Sequence, residues 1–110
     1  MFLGDREVSH TAFQSLAASF FRLAEARMSD TQKQVLRMSH ELLKYHELSM
    51  TALADLVSRR CTVPYSTCKW NLHSLKNMGL LTGGDLESRG QIARLTLEAQ
   101  MLADYLGSTL

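Results

Sequence analysis

Residues Val63 to Leu81 read VPYSTCKWNLHSLKNMGLL, and the fold turns on how this stretch is wound. As an α-helix of 3.6 residues per turn beginning near Pro64, it places Cys68, Leu72, Leu75 and Gly79 on one narrow stripe, spaced i, i+4, i+7 and i+11. The opposite side carries Ser66, Trp70, His73 and Asn77, with Lys69 and Lys76 on a flank. These are hydrogen-bonding groups and cations, so the helix buries one side and offers polar chemistry on the other. Gly79 supplies the residue favoured just past a helix end, and the apolar pair Leu80-Leu81 opens an extended segment. The pattern predicts a helix over 64–78 that runs directly into a strand.

Outward from this element, Leu80–Thr82 and Gln91–Leu95 read as two strands, joined by GGDLESRG, whose glycines and central polar groups suit a hairpin turn. Gly83-Gly84 and Gly90 match neither a P-loop nor a dinucleotide fingerprint. Upstream, Ser49 is the expected N-cap of a helix reaching about Arg59, with Leu48 placed to pack on Leu53 as a hydrophobic staple and Leu53, Ala54, Leu56 and Val57 on its buried side. Between this helix and the next lies RRCTVP; Pro64 suits a first helical turn, with Thr62 or Val63 as the capping position. Ser29 or Asp30 caps an earlier helix with an apolar face of Val35, Leu36, Leu42 and Leu43.

Ser66-Thr67-Cys68, then Leu72, Leu75 and Gly79-Leu80-Leu81, with the preceding capped helix, resembles the recognition helix and first wing strand of winged helix-turn-helix transcriptional regulators. The likeness is to bacterial and archaeal repressors of the MarR and ArsR kind. It extends over Asp30 to Leu106 and is densest from Ser49 to Leu81. The resemblance implies a mainly α fold with a small β-hairpin wing, built on a winged-helix core over 30–95. It also implies double-stranded DNA as partner, with helix 64–78 in the major groove and wing 80–95 on the flanking backbone. Lys69, Trp70, His73 and Asn77 would then meet bases or nearby phosphates, with Tyr65, Ser66 and Thr67 beside the backbone and Arg59, Arg60, Lys76 and Arg89 adding sequence-independent affinity.

Two further helices flank that core. From Ser9 to Met28, Phe13, Leu16, Ala17, Phe20, Phe21 and Ala24 repeat at helical spacing, and three of the chain's 4 phenylalanines lie here. Thr96 is the expected cap of a last helix over 96–107, with Leu97, Met101, Leu102, Tyr105 and Leu106 on one face and Gly107 ending it. A minimal winged helix needs neither. The first helix either packs on the back of the domain or joins two protomers, as terminal helices do in many regulators of the resembled kind; on the second, preferred reading Phe13, Leu16, Phe20, Phe21, Met101, Leu102 and Tyr105 are the expected homodimer contact. A small-molecule effector in a pocket between the first helix and a partner would be compatible; nothing identifies one.

The totals fit this reading. A chain of 110 residues with 45% hydrophobic and 21% charged residues, 1 Pro and 6 Gly suits one α-rich globular domain. The absence of a long apolar run predicts no membrane span, and a cytoplasmic location is expected. Formal net charge is only +1. Yet between Val57 and Arg94, Arg59, Arg60, Lys69, Lys76, Arg89 and Arg94 face only Asp85 and Glu87, while the remainder is net acidic, as phosphate neutralisation requires.

Other chemistry is poorly supported. Cys61 and Cys68 have six residues between them, not a zinc spacing, and His10, His40, His46 and His73 are scattered, so no metal or other cofactor is expected. Cys61, next to Arg60, is a conceivable redox thiol if the cation favours thiolate, but an ordinary reduced thiol is the preferred reading. No nucleophile motif or carboxylate pair points to an enzyme. Trp70 has three possible partners: DNA sugar or a thymine methyl group, the chain's own preceding helix (the one reaching about Arg59) or wing, or another protein. Winged helices also serve as protein-interaction modules, which is the competing functional class.

Overall fold

A computed structural model describes residues 10–84 and 91–108, and its element order is α1 (His10–Arg27), α2 (Asp30–Leu43), α3 (Met50–Cys61), α4 (Tyr65–Asn77), β1 (Leu81–Thr82), β2 (Arg94–Leu95) and α5 (Leu97–Ser108). The mainly helical architecture with a small antiparallel hairpin is the one expected. No helix among the described residues is long and apolar enough to cross a membrane.

Local chemistry sets the boundaries. Ser29 and Ser49 hold extended backbone, and their hydroxyls accept from the amides of Gln32 and Ala52, at 3.1 and 3.2 Å, opening α2 and α3. At the other end of α3, Thr62 adopts a left-handed conformation, φ 56°, and its N–H donates to the Ser58 carbonyl. The Ser58 hydroxyl donates to the Val63 carbonyl at 2.6 Å, folding the α3–α4 connection back on α3. Thr62 and Val63 are thereby occupied, so neither caps α4. Pro64 itself takes the N-cap position with no side-chain bond, and its carbonyl accepts from the Cys68 N–H at 3.0 Å. This corrects the expected placement of Pro64 inside the first turn.

The end of α4 follows expectation closely. The N–H of Gly79, φ 82°, donates to the Lys76 carbonyl and that of Leu80 to the Leu75 carbonyl, each at 3.0 Å, forming the paired closure of a Schellman motif. That closure commits Leu80, so β1 is shorter than the expected strand and pairs Leu81 with Leu95 and Thr82 with Arg94. The expected second strand is divided for a related reason. Ile92 bridges Ser49, and the Ala93 N–H donates to the Leu48 carbonyl at 2.7 Å, so residues just before β2 join the α2–α3 connection rather than β1. The wing is thus anchored on both sides.

The core is a contiguous cluster drawn from α2 to α5 and the strands, with Val35, Leu36, Leu53, Leu72, Leu75 and Leu81 among its fully buried members. Cys68, Leu72 and Leu75 face inward as predicted, accompanied by the buried Asn71, whose amide donates to the Thr67 carbonyl at 2.8 Å. Thr96 caps α5 through its hydroxyl, which accepts from the Ala99 N–H at 3.3 Å. Two details of α5 depart from expectation. Gly107 does not end it, since the helix continues through Ser108, and the buried side is Ala99, Leu102, Ala103 and Leu106 rather than one centred on Leu97. Leu97 faces outward at 68% exposure, while Leu102 is wholly enclosed in its own protomer's core and is unavailable to a partner.

Helix α1 buries none of its residues. Its attachment runs through Phe21, stacked on Tyr105 at 5.0 Å between ring centroids, and Glu25, which accepts from the Tyr105 hydroxyl at 3.0 Å. Phe13, Leu16, Phe20 and Leu23 remain exposed beside that seam.

Candidate nucleic-acid interface

The outer side of α4 is built by the same periodicity that buries its inner side. With Cys68, Leu72 and Leu75 turned inward, Ser66, Lys69, Trp70, His73 and Asn77 are all exposed and share an arc of about 100° around the helix axis. Tyr65 is exposed at the amino-terminal edge, and Thr67 is half-buried. Trp70 is 68% exposed, so its indole is not folded back onto α3 and stands largely clear of the described body.

Two side-chain bonds hold this helix in place. The Gln32 amide in the first turn of α2 donates to the Ser74 hydroxyl at 3.0 Å, and the Lys76 ammonium donates to the Gly83 carbonyl at 3.1 Å. Ser74, outside the expected site residues, is therefore part of the support, while the buried Asn71 bonds within α4 itself. Ser74 could have been noticed as a polar residue next to Leu75 on the stripe; its partner 42 residues away leaves no local signal.

The basic residues do not converge as their clustering in sequence suggested. Arg59 is exposed but paired with Asp55 at 2.9 Å, one turn back on the same helix. Arg60 lies in a cleft with Arg37 and Glu41 of α2 and Asp104 of α5, away from α4, so the structure separates it from the proposed DNA face. Lys76 is half-buried against the wing base. Arg94, absent from the expected set, is exposed on β2, but beside His40, Lys44 and His46 in an open cleft of about 520 Å³ at the end of α2. Arg89 lies outside the described residues. Of the expected cations, Lys69 is the one that stands directly on the outer arc of α4, among groups suited to base edges: an amide, an imidazole, a hydroxyl and an indole.

Burial pushes both Cys61 and Cys68 up from the usual thiol value, and proximity to Cys61 raises Cys68 further. At Cys61 desolvation opposes the thiolate that a redox role beside Arg60 would need, in keeping with the preferred reading of an ordinary reduced thiol. No group of three or more potential metal ligands occurs among the described residues.

No protein-family model matches the chain, and no curated protein matches it. Among solved structures, it is similar to the crystal structure of MepR, a transcription regulator of the Staphylococcus aureus multidrug efflux pump MepA. The likeness has a TM-score of 0.58 at 14% sequence identity and covers 93% of this chain and 76% of MepR. Five helices, a two-stranded antiparallel wing and a capped helix with an exposed polar side together establish the winged helix-turn-helix fold.

Proposed function

We propose that this protein is a homodimeric regulator of transcription that binds double-stranded DNA, with α4 in the major groove and the wing on the flanking backbone. The observation that carries the reading is the outer arc of α4, where Lys69, Trp70, His73 and Asn77 project together from a helix whose other side is sealed in the core. Lys69 neutralises phosphate; Asn77 and His73 have the donor and acceptor groups to read base edges; Trp70 covers sugar or a thymine methyl group. Tyr65, Ser66 and Thr67, at the amino-terminal turn, meet the backbone with their hydroxyls and the free amides of the helix start. Arg59 and Arg89 contribute long-range attraction. Fold likeness to a transcription regulator is consistent with this use, although folds do not dictate functions.

The dimer forms through α1 in this reading. Phe13, Leu16, Phe20 and Leu23 make an apolar stripe with Met101 of α5 also exposed, and a helix with no fully buried residue, held to its own protomer through the half-buried Phe21 and Ala24, gains further packing from a second copy. Phe21 and Tyr105 fix the angle of α1 on α5.

A second reading, a protein-interaction module, is favoured by the exposed indole and by the presence of only one lysine on the outer arc of α4. Fluorescence anisotropy with a labelled random-sequence duplex at low and moderate salt separates the two. Steep weakening with salt supports the DNA reading, whereas no binding at low salt removes it.

A further inference from the structure

We infer that Lys76 is a positioning residue that fixes the wing to the recognition helix, rather than one of the phosphate contacts; the inference rests on the DNA-binding reading above. Lys76 occupies the last turn of α4, half-buried, and its ammonium donates to the carbonyl of Gly83 at 3.1 Å. Gly83 is the residue that follows β1, at the point where the chain leaves the two-stranded ladder for the hairpin tip. The same glycine is pinned from the other side. Its φ of 153° is one that side chains disfavour, and an added Cβ would lie 3.0 Å from the Cα of Ala93.

The bond thus joins two parts that reach DNA separately. Three constraints hold the backbone at the wing base: the Leu81–Leu95 and Thr82–Arg94 pairs, the close approach of Gly83 to Ala93, and the grip of Lys76 on the Gly83 carbonyl. The last ties the wing base to the side of α4, in addition to the backbone closure through Gly79 and Leu80. A charge-assisted bond in a partly desolvated place is among the stronger single contacts available. A cation beside the carboxyl end of α4 also sits favourably against the helix dipole. Holding helix and wing at a fixed separation lets both engage one site without an ordering cost at the moment of binding.

The test compares Lys76→Met, Lys76→Arg and Lys69→Met. In the free protein, amide exchange at Leu81, Thr82 and Gly83 is expected to quicken about tenfold in Lys76→Met, as loss of a bond to a charged group implies, and to be unaffected in Lys69→Met. On duplexes enriched by the wild-type chain from a randomised pool, the preference over random duplex should fall about tenfold in Lys76→Met and return in Lys76→Arg. Unfolding midpoints show whether each variant is folded under these conditions. Unaltered exchange at the wing base in Lys76→Met overturns the inference. So does a uniform loss on selected and random duplexes with a salt slope lower by about 0.9 per protomer, the mark of a lost phosphate contact. If the wild-type chain binds no duplex, the DNA reading fails, and the exchange comparison still decides whether Lys76 holds the wing.

Discussion

Replacing Trp70 by alanine is the sharpest perturbation of the proposed interface, because the residue contributes little to the free protein. The indole is 68% exposed and belongs to no buried cluster. A truncation at such a position is expected to move folding stability by less than about 0.5 kcal/mol. The effect on binding is much larger. Tryptophan presents roughly 200 Å² of contact area. If two thirds of that is covered by DNA, burial at about 25 cal/mol/Å² sets an upper bound of roughly 3 kcal/mol. Imperfect desolvation and ordering of the side chain reduce this, so we expect about 1 to 2 kcal/mol, a five- to thirtyfold loss of affinity. The assay is direct, since the chain contains 1 Trp and its emission reports this position alone. Saturating duplex should change the wild-type emission, and Trp70→Ala should weaken binding in anisotropy while leaving the urea midpoint in place. Unchanged emission at saturation, or equal affinity of variant and wild type, would refute the placement of Trp70 against DNA.

Other consequences follow from the same geometry. Lys69→Ala should lower the magnitude of the salt slope by about 0.9 per protomer and weaken binding to all sequences, whereas Asn77→Ala should leave the slope and relax sequence preference; equilibrium titrations at several salt concentrations read both. Leu16→Ser together with Phe20→Ser should convert a dimer into monomers in sedimentation equilibrium with little change in helicity, because α1 buries none of its residues in the protomer; a dimer that persists would place the contact elsewhere. Alkaline solution should destabilise the fold. Cys61 and Cys68 are raised from 9.0 by burial, and Tyr105 from 10.0, chiefly by its hydrogen bond to Glu25. The unfolded chain therefore releases these protons first, so their contribution is complete below about pH 9 and declines as pH rises further, which urea midpoints measured across that range will show.

Much of the fold was legible because its signals are local. The capping serines Ser29 and Ser49 act on amides three residues away, and Gly79 closes α4 through bonds to Lys76 and Leu75. The inward stripe of Cys68, Leu72 and Leu75 follows from helical period alone. The features that escaped sequence reading depend on which of several partners each side chain finds once the helices are docked. Leu102 looked equivalent to Met101 by composition, but only the docking of α5 on α2 decides which of the two is enclosed. The basic cluster was real as a count, yet Asp55 takes up Arg59, the α2–α5 cleft holds Arg60 and the wing base holds Lys76. A charge sum along a segment carries no information on the direction in which each side chain leaves the surface. Pro64 shows a subtler limit: its place outside α4 depends on Thr62 already serving as the end of α3.

The central claim is that the outer side of α4 meets duplex DNA. Mapping of backbone amide shifts during titration with a short random-sequence duplex at low salt tests it most directly. The largest changes are expected from Tyr65 to Asn77 and around Thr82 and Gly83, with α1 and the outer side of α5 undisturbed. Changes confined to the cleft around His40, Lys44 and Arg94, or to α1, with α4 silent at saturation, would contradict it.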